Sequence, residues 1–266
     1  MMTIQNYVRA QSLEEAYALN QNKRNRILGG MLWLKMSSLT VPTAIDLCGL
    51  GLESIEESPD AFSIGAMVTL RQLELHPGLN QYTQGAVRKA VEDIVGVQFR
   101  NMATVGGSIF GRFGFSDVLT VFLALDTYVE LYKGGVVPLE AFARMEKDRD
   151  VLVRVIVKKR PVRCVYQAMR NSRTDFPILT CAVSQIDGAY RAVIGARPAQ
   201  AMALQDEREL LAGGIGQASA GAFAAFAAEQ IPTGGNVRGS AAYRTRLIRV
   251  LTKRALLELG GLSDGN

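Results

Sequence analysis

The stretch RNMATVGGSI, at residues 100–109, carries the glycine pair Gly106-Gly107. A second pair, Gly29-Gly30, follows the strand-like triplet RIL at 26–28. Paired glycines allow tight turns and bring backbone N–H groups close to an anion such as a phosphate. Neither pair matches GxGxxG or GxxxxGK(S/T), so neither a Rossmann dinucleotide site nor a P-loop is predicted. A glycine pair alone is more typical of an ordinary turn than of a binding site.

Further segments accompany the two glycine pairs in a defined order along the chain. They are LGG (28–30), IGAMVTL (64–70), SD (116–117), LALD (123–126), RGSAAYR (238–244) and VL (250–251). With residues 100–109, this series resembles the FAD-binding subunit of the xanthine dehydrogenase and carbon monoxide dehydrogenase family. That family has A-G-G-T-D-L, I-G-A-x-T-x-L, R-N-x-A-T-(I/V)-G-G-N-I, S-D, A-L-D-A and R-G-S-A-x-Y-R. The resemblance covers almost the full length of the chain.

The sequence pattern predicts an α+β protein without a regular alternation of strand and helix, which argues against a doubly wound sheet. We expect three parts: a first α/β subdomain at 1–58, a second at 59–160, and a C-terminal α+β domain at 161–266. The resemblance implies that the first two parts form an FAD-binding domain of the PCMH or vanillyl-alcohol-oxidase-like type. The third part is expected to hold a small antiparallel sheet and helices.

The resemblance also implies a function, that of an oxidoreductase component which is inactive without partner subunits. In the family, substrate is hydroxylated at molybdenum on a molybdopterin-binding subunit. Electrons then pass through clusters on an iron–sulfur subunit to FAD, and on to NAD⁺ or another acceptor. Such a relay needs no acid–base side chain of its own, because the cofactor carries the redox chemistry. We therefore expect no catalytic residue and no metal site in this chain.

Residue roles follow from the same resemblance. The two glycine loops would surround the FAD pyrophosphate with backbone N–H groups, and Asp117, with Ser116, would accept a hydrogen bond from the adenosine end. Without the resemblance, Asp117 is an acid at a helix N-terminus. The implied cofactor-binding residues are Ile27, Leu28, Gly29, Gly30, Met31, Leu32, Val95, Phe99, Thr104, Gly106, Gly107, Ser108, Phe110, Gly111, Ser116, Asp117 and Tyr166.

The cofactor loops depart from the family pattern. Met31-Leu32 replaces the polar T-D, and SIFGRFGFSD at 108–117 replaces N-I-x-x-A-S-P-x-S-D. Each lost neutral hydrogen bond is worth about 0.5–1.5 kcal/mol. An alternative function therefore stays open, that of a flavin-free scaffold or assembly subunit that retains the fold.

The charge balance of the chain raises a third hypothesis for its function, which is nucleic-acid binding. The net charge is +5 and the pI is near 9.2, which is compatible with nucleic-acid binding. Aromatic residues make up 7% of the chain and do not alternate with the basic ones, so no stacking platform for single strands is predicted. A solvated helix face, or a surface for an acidic partner, explains the basic residues more simply. No segment has the run of about 18–20 apolar residues that spans a bilayer, so we expect no membrane partner and a cytoplasmic location.

Local patterns predict individual elements. Ser12 caps a helix over 13–19, the pair Asp187-Gly188 closes a β-hairpin, and His76 has a turn or capping role. We expect one longer helix over 79–95 and C-terminal helices over 199–211, 218–229 and 240–259. The three cysteines are expected to be buried free thiols, because they are far apart and lack CxxC spacing.

Overall fold

The computed structural model describes residues 1–263, in which helices and strands alternate irregularly. The elements of the first half are β1 (Thr3–Arg9), α1 (Leu13–Asn20), β2 (Arg26–Leu28), β3 (Thr40–Asp46), β4 (Ile55–Glu57), β5 (Ala61–Gly65), α2 (Leu70–Leu75), α3 (Pro77–Tyr82), α4 (Ala86–Val91), α5 (Val97–Arg100), α6 (Val105–Phe110) and α7 (Asp117–Leu123). Those of the second half are β6 (Thr127–Leu131), β7 (Gly135–Pro138), α8 (Leu139–Arg144), β8 (Leu152–Lys158), β9 (Val162–Arg170), β10 (Pro177–Ile186), β11 (Ala189–Gly195), β12 (Met202–Gln205), α9 (Gln217–Gln230) and α10 (Ala241–Leu259). The predicted α+β class is confirmed.

Contacts group the chain into two compact units, neither of which is continuous in sequence. The first unit contains Met1–Gln72, Val97–Gly111 and Thr127–Val157. The second contains Leu73–Gly96, Arg112–Asp126 and the chain from Lys158 onward. The three-part division at 58 and 160 stays a prediction.

The first unit is built on two sheets. A parallel sheet has the strand order β1-β3-β2, and a second sheet has the order β4-β5-β8-β6-β7. Helix α1 packs on β2 and β3, and Ser12 caps it as predicted, its side chain accepting the N–H of Glu15 at 3.1 Å. Strand β2 of the parallel sheet ends at Leu28, and the first glycine pair, Gly29-Gly30, follows it directly.

The second unit is built on an antiparallel sheet of order β12-β11-β10-β9. Strand β10 is buried over its first eight residues, because α10 packs on the sheet, with α9 beside it, and α7 also packs on β10. Its apolar side chains, such as Leu179 and Val183, join the core of α9 and α10. Thr180 hydrogen-bonds Thr120 of α7 at 3.0 Å, and Ser184 donates to the carbonyl of Ala124. The buried polar side chains are thus satisfied.

Several local predictions are confirmed. His76 caps α3, where its Nδ1 accepts the N–H of Leu79 at 3.1 Å. Asp187 and Gly188 have φ of +48° and +87° between β10 and β11, as the tight hairpin requires. The C-terminal helices α9 and α10 also form, and Ser240 caps α10.

Two helix predictions are wrong. The single helix over 79–95 is two short helices, α3 and α4, because Gly85 between them has φ of +82°, which no α-helix accommodates. Residues 199–211, which were predicted to form a helix, contain strand β12 instead. Ala203 of this strand pairs with Val193 on the free edge of β11. Sheet pairing overrides the helix propensity of its alanine and leucine residues.

The cysteine prediction is partly wrong, because Cys48 is exposed whereas Cys164 and Cys181 are buried. Burial raises the pKa of each buried thiol to about 12. A hydrogen bond to Asp46, together with partial burial, raises the pKa of Cys48 to about 11. None of the three is a reactive thiolate near neutral pH.

We predict that iodoacetamide at pH 8 labels the native chain at Cys48, and that this labelling is slow. The thiolate fraction of Cys48 should be about a hundredfold below that of an unperturbed cysteine, and Asp46→Asn should accelerate labelling. Mass spectrometry of timed samples measures both rates, with urea-unfolded chain as the control in which all three thiols react. Rapid labelling of Cys164 or Cys181 in folded chain would contradict their burial.

No helix within residues 1–263 combines the length and apolar character that crossing a membrane requires.

Candidate functional site: a glycine-lined cavity

The second glycine pair lies at the start of α6. Thr104 caps this helix with its hydroxyl, and the four following N–H groups all donate to protein acceptors. The bonds run from Val105 to the Val68 carbonyl (2.8 Å), from Gly106 to the Ala66 carbonyl (2.8 Å), from Gly107 to Thr104 Oγ1 (3.1 Å) and from Ser108 to the Thr104 carbonyl (3.1 Å). The loop is therefore rigid, and its backbone donors are used within the first unit.

The first glycine pair packs directly against this loop. A Cβ on Gly29 would lie 2.8 Å from Thr104 Oγ1, and one on Gly30 would overlap the carbonyl oxygen of Met102. Met31, which follows, has φ of +58°, a conformation that disfavours residues with a Cβ. Within the described chain, no loop or turn hydrogen bond is donated by a backbone N–H of residues 29–32. This loop, unlike the second, keeps donors for an anion.

The two loops form part of the wall of a cavity of about 240 Å³ in the first unit. Gly107 lines the cavity, and a Cβ on it would lie 3.1 Å from Thr104 Oγ1 with no other atom within 4 Å. Eight of the predicted residues line the cavity: Ile27, Leu28, Gly29, Thr104, Gly106, Gly107, Phe110 and Gly111. The structure thus brings together two motifs that are more than seventy positions apart in the sequence.

Sequence reasoning missed the charged end of this cavity, which residues 148–150 and Arg26 line. Arg149 donates to the carbonyls of Asn20 (2.7 Å), Asn22 (2.7 Å) and Asn25 (3.1 Å). Burial, and then the positive charge of Arg26, lower the pKa of Arg149. The charged run DRD at 148–150 was the available signal, but carbonyls more than 120 positions away cannot be paired with it from sequence.

Asp150 is held by the backbone. Its carboxylate accepts the N–H groups of Lys133, Gly134 and Val151 at 2.7–3.2 Å. These bonds fix the turn before β8, and thereby the cavity wall formed by Val151 and Leu152.

Three of the predicted residues form a buried cluster in the second unit. Asp117, the first residue of α7, accepts hydrogen bonds from the Tyr166 hydroxyl and from Arg170 Nη2 (2.5 Å), and Ser116 caps the helix. Burial raises the pKa of Asp117 and outweighs the opposing charge of Arg170. Burial, and then the charge of Asp117, raise the pKa of Tyr166 well above its usual value. This cluster joins α7 to β9 by a buried ion pair.

The remaining predicted residues lie elsewhere. In the first unit, Phe99 is half-buried, and Gly30, Met31, Leu32 and Ser108 do not line the cavity. In the second unit, Val95 is exposed and has φ of +49°.

Two family models of known proteins match this chain. Residues 2–159 match the family model of the FAD binding domain in molybdopterin dehydrogenase. Residues 164–259 match that of the CO dehydrogenase flavoprotein C-terminal domain. The two matches together cover nearly all of the chain.

The chain is also similar to individual proteins, in sequence and in structure. The chain is 26% identical over 253 residues to the uncharacterized protein YgfM of Escherichia coli K12, covering 93% of each. It is 26% identical over 276 residues to the glyceraldehyde dehydrogenase medium chain of Sulfolobus acidocaldarius, covering 95% of this chain and 97% of that one. A solved chain of reconstituted CO dehydrogenase from Oligotropha carboxidovorans superposes with a TM-score of 0.84 at 22% identity, covering 97% of each, so the fold is shared.

Proposed function

The chain belongs to the family of FAD-binding domains in molybdopterin dehydrogenases, and on this premise we propose that it is the electron-relay subunit of a molybdenum hydroxylase. The predicted family is confirmed, and so are the oxidoreductase assignment and FAD as the cofactor. The proposal adds the direction of transfer, from iron–sulfur clusters on a partner to FAD and on to an acceptor.

The glycine-lined cavity is the observation that carries this proposal. It fits part of FAD, because Gly107 adds no side chain to the cavity wall and the N–H of Gly29, which lines the cavity, is unused. Its volume of about 240 Å³ is below the roughly 300 Å³ at which ligand pockets begin, so it fits a portion of a dinucleotide.

The chain's own residues bind and position the cofactor. Gly29 is the residue of the first loop that lines the cavity, so its N–H is the proposed donor to the pyrophosphate there. The N–H groups of residues 105–108 are already used within the protein, so Gly106 and Gly107 contribute rigid wall rather than donors. Bound FAD supplies reversible electron transfer, and the protein supplies position and exclusion of side reactions. No proton transfer by a side chain is required.

For Asp117 we propose a role that differs from the predicted one. Its Oδ1 is occupied by Tyr166 and Arg170, so we propose that it orients these two groups rather than offering a free carboxylate. Tyr166, like Ser116 beside it, remains a proposed contact of FAD.

The proposed partners are an iron–sulfur subunit and a molybdopterin-binding subunit, in keeping with the medium chain of a dehydrogenase among the relatives. The identity of the acceptor, NAD⁺ or another compound, and the cytoplasmic location stay predictions.

Replacing Gly107 with valine tests the cavity. The added side chain occupies space that the cofactor needs, so we predict that affinity for FAD falls about tenfold or more, the equivalent of at least 1.4 kcal/mol. Quenching of FAD fluorescence on titration measures the affinity. Gly213→Val is the matched control, because a Cβ there meets nothing within 4 Å.

Equal affinities of the two variants would overturn the placement of FAD in this cavity. A wild-type chain that binds its partner subunits but never FAD would instead favour the flavin-free scaffold. The occupied donors of residues 105–108 and the occupied Oδ1 of Asp117 are the observations that favour that second candidate.

A further inference from the structure

A separate cleft of about 380 Å³ lies within the second unit. Phe113 and Phe115 stack with their ring centroids 5.2 Å apart, and Phe115 meets Phe176 edge to face at 4.9 Å. Phe113 and Phe115 are 40% and 37% exposed. Phe115 and Phe176 line the cleft, and Phe113, which stacks on Phe115, is not among its lining residues.

The backbone holds these rings in place. The N–H of Ala196 donates to the carbonyl of Gly114 at 2.6 Å, and a Cβ on Gly114 would overlap the carbonyl of Ala199. The loop is therefore fixed against the connection that follows β11. A rigid aromatic wall binds a flat ligand at low entropic cost.

A guanidinium completes the cleft. Arg238 lies over the Phe176 ring, 4.8 Å from its centroid, and reaches Asp175 at 3.3 Å. Its Nε–H is buried without an acceptor among the residues described. Arg238 lines the cleft and its side chain is 33% exposed, so the accessible part of its guanidinium can donate to an oxygen of a bound molecule.

We propose that this cleft binds a planar aromatic ring bearing an anionic oxygen, as a ligand distinct from FAD. Stacked and edge-on phenylalanines favour a flat ring, and arginine favours a carboxylate or a similar anion. Seven of the nine lining residues lie within 164–259, outside the match to the FAD-binding domain.

The test is calorimetric titration of the full chain with 2-naphthoate. Wild-type chain should bind it, and Phe115→Leu and Arg238→Gln should each weaken binding about tenfold. Arg208→Gln is the matched control, because Arg208 also lies over a phenylalanine, 4.3 Å from the Phe226 ring, but outside the cleft. That variant should bind as wild type does. The neutral 2-naphthalenemethanol should bind about tenfold more weakly than the acid.

Absence of naphthoate binding by wild-type chain would overturn the proposal, as would equal binding by Arg238→Gln and Arg208→Gln. Circular dichroism checks folding, and Arg238→Gln keeps the test decisive if Phe115→Leu fails to fold. Repeating the titration with chain saturated by FAD identifies the source of the ring. An affinity for 2-naphthoate that FAD leaves unchanged supports a separate ligand. Displacement of naphthoate by FAD would assign the cleft to the flavin and overturn the proposal of a ligand distinct from FAD.

Discussion

Replacing Arg170 with methionine is expected to lower the free energy of unfolding by about 3–5 kcal/mol, because it leaves the carboxylate of Asp117 buried without its countercharge. The side chains of the two residues are only 8% and 7% exposed, so water cannot compensate for the loss. Urea denaturation followed by circular dichroism measures the change.

A double-mutant cycle separates the ion pair from simple packing. The double change Asp117→Asn with Arg170→Met should lower the free energy of unfolding by clearly less than the sum of the two single changes. The reason is that the double variant contains no buried charge without a countercharge. Tyr166→Phe, which removes one hydrogen bond to the carboxylate, should cost about 1.5–3 kcal/mol. Strictly additive single changes would show that the ion pair contributes nothing.

Replacing Gly30 with alanine is expected to cost about 3 kcal/mol, at the upper end of the range for overpacking. The added Cβ would overlap the carbonyl oxygen of Met102, a backbone atom that cannot rotate away. The two glycine loops would separate, so binding of FAD should weaken together with stability. Urea denaturation and FAD titration measure the two effects.

Gly221→Ala is the matched control for Gly30→Ala. It adds the same methyl group inside α9, where a Cβ meets nothing within 4 Å, and should stabilise the chain by about 0.5–1 kcal/mol. If Gly30→Ala were as stable as wild type, the close backbone contact between the loops would be wrong.

The sequence predicts best where a feature is local. Ser12, His76 and the pair Asp187-Gly188 act on backbone groups within a few positions, so their caps and turn are recognisable before any tertiary contact is known. The glycine motifs were likewise recognisable from residue order.

Features that depend on distant segments were not predictable in the same way. Strand β12 forms because β11 offers a free edge, and the sequence of 199–211 carries no sign of that partner. Arg149 reaches three carbonyls near α1, and Asp117 meets Tyr166 and Arg170 some fifty positions later. Eight of the seventeen residues that the resemblance proposes line the cavity, and the sequence did not indicate which of their backbone donors remain available.

The most direct test of the central claim is the visible spectrum of the purified chain after incubation with FAD and gel filtration. We predict a stoichiometric flavin band that stays with wild-type protein and with Gly213→Val, and that is lost from Gly107→Val. A colourless wild-type chain that releases all added FAD would contradict the relay function and leave the flavin-free scaffold as the better account.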